Sequence, residues 1–345
     1  MINVLLVGCG RIGKRHCQIL SGQSEKAKLV GVVDYYGPRA RDYGSRFDVP
    51  HLVADTTKRQ DRPKISDFAQ KCKGDLITLG IATGNHFYSI NNLMPLGIPM
   101  LVEKPLVLSL REIGILEHNA KVYGSWICEV KQNRYNVAVQ TIRDNIYKLG
   151  KIRLVHCSVL WSRTPAYYAD WHGQWLDAGG VLANQAIHHI DLLWWLLGDI
   201  RTVSATATYS NYTEVETGIV ATLGFDSGCI GTLQATTLAT RDLEGAITLI
   251  GENGTVKIGG FACNQIDFWE PDQNWGDKKE NPPDVYGYGH QAMYDDIDLA
   301  QPPPVPIWQA AKALEICHAI YHSSKMESRV ILGQSHYKHS RLGKG

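Results

Sequence analysis

The chain has 345 residues, 44% apolar and 20% charged, an ordinary soluble composition with length enough for two domains that each bury a core. Its 35 basic and 34 acidic residues leave a net charge of +1 with no long basic run, which argues against nucleic acid or an anionic membrane surface as a partner. The eight cysteines show no C-x-x-C spacing, so neither a zinc site nor a disulfide framework is indicated, and a reducing, cytoplasmic setting is expected.

Met1-Ile2-Asn3-Val4-Leu5 has no basic leader and runs straight into a glycine turn, so residues 2–7 read as a first strand rather than a signal peptide. A helix follows over 12–21 and a second strand over 28–33. Residues 76–81 predict a later strand, ending at Ala82-Thr83-Gly84-Asn85, with a helix from about His86. The apolar run 98–102 is the next strand. Ser109, with Glu112 as its capping-box partner, starts a helix from Leu110 to about Tyr123. Residues 126–131 predict a sixth strand, completing a βαβ pattern. A helix over 137–149 ends at Gly150, and strands are predicted over 152–163, 202–210, 217–225, 229–237, 245–250 and 255–259. Asp226-Ser227-Gly228 and Glu252-Asn253-Gly254 are turns between strand pairs. One helix, about 185–197, interrupts the series; its apolar stretch 192–197 is far too short to cross a bilayer. Helices return at about 290–300 and 308–325, around Pro302-Pro303-Pro304. Residues 271–289 read as a surface loop bordering a site. The expected architecture is an α/β Rossmann domain over 1–125. Residues 126–345 are expected to form an α+β domain on a large, mostly antiparallel open sheet. Thr206 and Thr208 alternate with Ala205, Ala207 and Tyr209, and a sheet face of this kind needs cover, which predicts a homodimer or homotetramer.

Gly8-Cys9-Gly10-Arg11-Ile12-Gly13 fits G-x-G-x-x-G between an apolar strand and a helix. The glycines allow a tight turn, close approach to a pyrophosphate and close helix–strand packing. Asp34 ends the second strand, about twenty residues on, where a carboxylate accepts hydrogen bonds from ribose hydroxyls and repels a 2′-phosphate. NAD is therefore expected over NADP, although Arg39 and Arg41 lie nearby. Thr83 and Asn85 are placed on the nicotinamide side. The cofactor set is read as Gly8, Gly10, Arg11, Ile12, Gly13, Asp34, Thr83, Asn85, Glu103, Lys104 and Asn133.

Two segments carry the chemistry. Glu103-Lys104-Pro105 puts an ammonium at the carboxyl end of a buried strand, where ligands of open α/β sheets bind. Within 179–191, an amide (Asn184), two imidazoles (His188, His189) and a carboxylate (Asp191) cluster after a glycine pair in an otherwise apolar helix. Asn184 and His188 are i, i+4 neighbours; His188 and His189 lie about 100° apart around the axis, and periodicity does not choose between them. Oxidising a secondary alcohol needs hydride loss to the nicotinamide and proton loss to a base. A histidine suits the proton step, and Lys104 either shares it with a lowered pKa or polarises the oxygen. Arg134 and Arg163 are read as a fork for phosphate oxygens, and Tyr167, Tyr168, Trp171 and Trp175 either as stacking surfaces for a sugar or base or as packing of an interdomain cleft and an oligomer interface.

Together these motifs resemble the glucose-fructose oxidoreductase / inositol dehydrogenase / MocA family of NAD(P)-dependent oxidoreductases. The resemblance extends to Lys312-Ala313-Leu314-Glu315 and 319–323. It implies a nicotinamide-linked reaction on a sugar or cyclitol, with Lys104 as the catalytic lysine and His188, not His189, as the catalytic histidine. Inositol dehydrogenases carry an aspartate where this chain has Asn184, which is then expected to orient the substrate hydroxyl. Gly84 and Tyr88 also depart from the family pattern. The segments 132–136, 161–163, 167–175, 184–188 and Gly287-Tyr288-Gly289-His290-Gln291 resemble bacterial UDP-N-acetylglucosamine 3-dehydrogenases and related uronate enzymes. This implies a UDP-linked amino sugar oxidised at a ring hydroxyl such as C3. Alternatives are an inositol or free-sugar dehydrogenase, an NAD-dependent glycosidase, or a non-catalytic NAD-binding regulator.

Overall fold

The computed structural model describes residues 1–271 and 287–333; most of the expected surface loop over 271–289 lies outside them. The chain divides into two compact units. One comprises residues 1–107, 111–132 and 286–310, the other 108–110, 133–285 and 311–345.

The first unit is built from β1 (Ile2–Val7), α1 (Arg11–Leu20), β2 (Ala27–Asp34), α2 (Gly37–Arg46), β3 (His51–Val53), α3 (Arg62–Cys72), β4 (Leu76–Leu79), α4 (His86–Leu93), β5 (Met100–Val102), α5 (Leu110–Tyr123) and β6 (Ile127–Glu129). The strands form a parallel sheet in the order β3-β2-β1-β4-β5-β6. Strands β4, β5 and β6 are buried throughout, as their continuous apolar runs require for a parallel sheet covered on both faces. Strand order reverses between β1 and β4, which opens a crevice at their carboxyl ends.

The second unit contains α6 (Val137–Asn145), β7 (Ile152–Leu160), α7 (Ile187–Leu197), β8 (Ile200–Tyr209), β9 (Glu216–Phe225), β10 (Ile230–Thr236), β11 (Glu244–Gly251), β12 (Gly254–Gly259) and β13 (Gln265–Pro271). The chain continues through α8 (Tyr288–Asp296, in the first unit), α9 (Ile307–Met326) and β14 (Val330–Ile331). The sheet order is β13-β12-β11-β7-β10-β9-β8-β14, antiparallel except for the β7–β10 pair. One face packs on apolar residues of α6, α7 and α9, with Ile142, Ile187, Ile190 and Ile320 fully buried. On the other face Leu154, Val220, Ile230 and Ile250 stay exposed, and Leu154 sits in register with both Ile230 and Ile250.

The structure adds elements the sequence did not announce, among them β3, α3 and β13, and departs from the expected organisation in three further respects. A domain boundary at 125 would cut off β6, which pairs with β5 through Met100–Ile127 and belongs to the first sheet. Residues 286–310 also return to that unit instead of staying with the rest of the later chain. Finally, the helix expected over 185–197 begins with a π turn, Leu182–Ala186, and is α-helical only from Ile187.

Candidate active site

In the first unit the glycine turn has the shape a dinucleotide needs. Gly8 has φ of +101°, and a Cβ there would lie 2.3 Å from the Gly80 carbonyl oxygen. A Cβ at Gly13 would lie 2.0 Å from the Gly8 oxygen, so this glycine lets α1 start directly against the turn. A Cβ at Gly10 would meet nothing within 4 Å, and the side facing the phosphate position is therefore open. Asp34 ends β2 as expected and is buried. Its Oδ2 accepts the Cys9 N–H at 2.7 Å and its Oδ1 the Tyr36 N–H at 2.8 Å, so the same carboxylate braces the turn it is expected to serve. Tyr43 donates its hydroxyl to the Gly10 carbonyl at 2.8 Å. Thr83 is buried in a 3-10 turn, Thr83–Asn85, that leads from β4 into α4. Arg11 and Ile12 open α1.

Glu103-Lys104-Pro105 follows β5, and the Lys104–Pro105 bond is cis. Glu103 Oε2 accepts the Lys104 N–H at 3.1 Å. A second buried acid braces the far side of the turn. Glu129 Oε1 accepts the Leu106 N–H at 2.9 Å, and Glu129 Oε2 lies 2.9 Å from Lys131 Nζ, with both side chains 1% exposed. The lysine segment is thus gripped by two carboxylates and held in one backbone conformation.

The second segment lies in the other unit. Asn184 sits within the π turn and His188 in the first turn of α7. Glu216, at the start of β9, anchors this turn. Its Oε1 accepts the Leu182 N–H at 2.9 Å and the Tyr321 hydroxyl at 2.6 Å, and its Oε2 is buried without a hydrogen-bond partner. A Cβ at Gly180 would fall 1.4 Å from that Oε2, so the second glycine of the pair is the space Glu216 occupies. Burial dominates its ionisation. Despite the Leu182 and Tyr321 hydrogen bonds, the carboxyl is pushed up from 4.5 to about 8. A folded chain that holds this proton while the unfolded chain releases it loses stability as pH rises from 4.5 to about 8. Glu216→Gln keeps an oxygen for both donors and is expected to flatten that decline, gaining on the order of 2–4 kcal/mol over the parent at high pH. Urea unfolding at pH 5 and pH 8.5 measures it, and parallel losses in both proteins would refute it.

The two imidazoles are unlike each other. His189 is fully buried, edge-on to Trp161 at 6.2 Å, and burial pushes it down to about 4, so it is a neutral core group. His188 retains 7% exposure.

The expected substrate residues do not all remain available. Arg134 is 4% exposed and forks onto Asp191, with Nε to Oδ2 and Nη2 to Oδ1 both at 2.7 Å, between the rings of Trp194 and Trp195. Its reading as half of a phosphate fork is corrected: the fork is filled by an internal carboxylate, a partner 57 residues away that spacing does not reveal. Tyr168 is also corrected from a stacking surface to a core residue, buried with its hydroxyl 2.6 Å from Thr237 Oγ1. Arg163 is partly exposed. It donates to Asp242 at 3.0 Å and lies 5.4 Å from the Trp161 ring and 5.7 Å from that of Tyr167. Trp171 stacks on His172 at 3.8 Å, with Tyr167 4.2 Å from the same imidazole. Trp175 meets Tyr321 edge-on at 5.3 Å, which ties it to the Glu216 anchor. Asn133 is buried in the 3-10 turn Gln132–Tyr135. Sequence reasoning missed Glu216 and Tyr321; an acid opening a strand of otherwise uncharged residues was the available signal for Glu216.

Family models match both units: an oxidoreductase NAD-binding Rossmann fold over residues 2–128, and a GFO/IDH/MocA C-terminal domain over residues 139–257. The chain belongs to the Gfo/Idh/MocA oxidoreductase family. Members of this family are NAD-dependent dehydrogenases acting on sugar hydroxyl groups, and the cofactor is NAD. Among curated relatives, the scyllo-inositol 2-dehydrogenase (NAD(+)) of Bacillus subtilis is 25% identical over 276 residues, covering 75% of this chain and 74% of its own length. Among solved structures, the WlbA dehydrogenase of Bordetella pertussis in complex with NADH and UDP-GlcNAcA is 29% identical with a TM-score of 0.84, covering 97% of this chain and 98% of that one. The WlbA of Chromobacterium violaceum, in complex with the same two compounds, is 28% identical with a TM-score of 0.83 and 97% of each chain covered. No helix among the described residues is long and apolar enough to cross a membrane.

Proposed function

We propose that the protein oxidises a ring hydroxyl, such as C3, of a UDP-linked amino sugar, with NAD as hydride acceptor. The observation that carries this reading is the full-length likeness to two dehydrogenases held with NADH and UDP-GlcNAcA, at 28% and 29% identity over 97% of the chain. Bound NAD supplies the hydride acceptor. The chain supplies the rest: His188 takes the hydroxyl proton as the carbinol becomes a carbonyl, Lys104 holds a positive charge or shares that proton at its Nζ, and Asn184 orients the hydroxyl. Asp34 is assigned to the adenosine ribose and Arg163, beside Trp161 and Tyr167, to the nucleotide end of the substrate. The exposed apolar stripe of Leu154, Val220, Ile230 and Ile250 supports a homo-oligomer in which a second copy covers the sheet. A cytoplasmic location fits eight cysteines that are all free.

The 25% identity to an inositol dehydrogenase favours a cyclitol as the second reading. The two separate in one assay. NADH formation, followed by absorbance, is expected with UDP-GlcNAcA or UDP-N-acetylglucosamine at least a hundredfold faster at equal concentration than with free sugars or inositols. A good signal with inositols and none with the sugar nucleotides would reject the substrate and keep the reaction class.

A further inference from the structure

The first unit contains a buried polar network that the proposed reaction does not use. Glu103 Oε1 lies 3.0 Å from Nε2 of His16 on α1 and 3.4 Å from Nε2 of His290 on α8. The other nitrogen of His16, Nδ1, is 2.9 Å from the Tyr294 hydroxyl, which is 2.8 Å from Thr78 Oγ1 on β4. His16 and Tyr294 are fully buried, Glu103 is 5% exposed, and the two imidazoles meet edge to face at 5.3 Å. Opposite an ionised Glu103, His16 Nε2 carries a proton, and Nδ1 either accepts from or donates to the Tyr294 hydroxyl.

The sequence is built to bring α8 there. Gly287 and Gly289 precede His290; a Cβ at Gly289 would lie 2.2 Å from the Gln132 carbonyl oxygen, and one at Gly287 would lie 3.0 Å from Arg15 Nη1. These glycines let a helix from near residue 290 press onto a sheet formed by residues 2–129. The Gly287–Gln291 motif, otherwise without a role, delivers His290 to Glu103. Burial raises the Glu103 carboxyl, but the His16 hydrogen bond and the nearby His290 imidazole outweigh it and hold the group well below the ordinary range. Burial also lowers His290, against the pull of the Glu103 carboxylate 3.4 Å away.

The position of this charge follows from the sheet. With the glycine turn after β1 assigned to the pyrophosphate and Asp34 after β2 to the adenosine ribose, the nicotinamide half would lie toward β4 and β5, the strand Glu103 follows. We propose that His16 and His290 are positioning residues that hold an ionised Glu103 behind the nicotinamide position, where its negative charge favours the cationic, oxidised cofactor over the reduced one. The helix α8, far along the chain, thereby tunes the redox preference of the dinucleotide site while Glu103 Oε2 steadies the Lys104 backbone.

The test is a fluorescence or calorimetric titration of NAD⁺ and NADH with no sugar present, so its outcome is independent of the substrate assignment. Glu103→Gln is expected to shift the ratio of the two dissociation constants about tenfold toward NADH, mostly through weaker NAD⁺ binding. His290→Ala is expected to shift it in the same direction, about threefold, and His290→Gln, which keeps an N–H donor, to restore the parent ratio within about twofold. A purely structural role would weaken both cofactor forms together, and an unchanged ratio in Glu103→Gln would overturn the proposal. If that variant does not fold, the partly exposed His290 pair decides alone, with indistinguishable Ala and Gln ratios counting against it. The ligating atoms of His16, Glu103 and His290 also lie within 4.8 Å of one another, so metal analysis of the purified protein belongs to the test. Stoichiometric zinc would neutralise the carboxylate and likewise overturn the inference.

Discussion

Lys104→Ala will stop NADH formation, lowering kcat by about a thousandfold or more while changing the NAD⁺ dissociation constant by no more than about fivefold. The size of the first effect follows from what an ammonium at the carbinol does: it stabilises the developing alkoxide and takes part in the proton's departure, and both contributions exist only in the transition state. The smallness of the second follows from the architecture. The glycine turn and Asp34, assigned to the cofactor's phosphates and ribose, are braced by the Cys9 N–H and the Tyr43 hydroxyl. The backbone of the lysine segment is gripped through the Lys104 and Leu106 N–H groups, which alanine leaves in place. Lys104→Arg keeps the charge but not the compact, titratable amine and is expected to recover little activity. Steady-state kinetics together with NAD⁺ titration measure both quantities. A variant retaining a tenth of the parent turnover would remove Lys104 from the chemistry.

Arg134→Ala will act on the fold before it acts on the substrate, with a loss of roughly 3–5 kcal/mol in unfolding free energy. Its guanidinium makes two 2.7 Å bonds to Asp191 on α7, the helix that carries His188, and both side chains are almost wholly buried. Removing one partner leaves the other, almost wholly buried, group without its 2.7 Å bonds, which is worse than removing both. The double variant Arg134→Met with Asp191→Leu is therefore expected to regain most of the lost stability. Urea unfolding of the single and double variants is the measurement. If Arg134 bound a substrate phosphate instead, Arg134→Ala would raise the KM for the sugar nucleotide and leave the urea midpoint where it was, which would reverse the correction made above.

Much of this protein is legible along the chain because the relevant physics is local. The apolar runs ending at Val7, Asp34, Leu79 and Val102 announce parallel strands buried on both faces, and the glycines at 8 and 13 announce a turn with no room for a side chain. The antiparallel strands of the second unit lie within a few residues of their expected bounds, since turn residues such as Asp226-Ser227-Gly228 mark their ends. Short elements with little apolar signal went unread. Strand β3 has no buried residue and α3 buries only Ile65 and Ala69, so neither carries the periodicity that would announce it.

By itself the sequence determined the fold class, the dinucleotide turn and the residue types available for redox chemistry, because each is a property of backbone freedom or hydrophobic period over a few residues. Which buried charge meets which was decided only in three dimensions. Arg134 and Arg163 look alike in sequence, yet one is buried on Asp191 and the other, partly exposed, pairs with Asp242 beside aromatic rings. His188 and His189 are adjacent, yet only the second is sealed into the core. Glu216 reaches a turn 34 residues before it, and His290 crosses 187 residues to reach Glu103. A buried ionisable group must find its partner wherever topology places one, and sequence spacing holds no record of that choice.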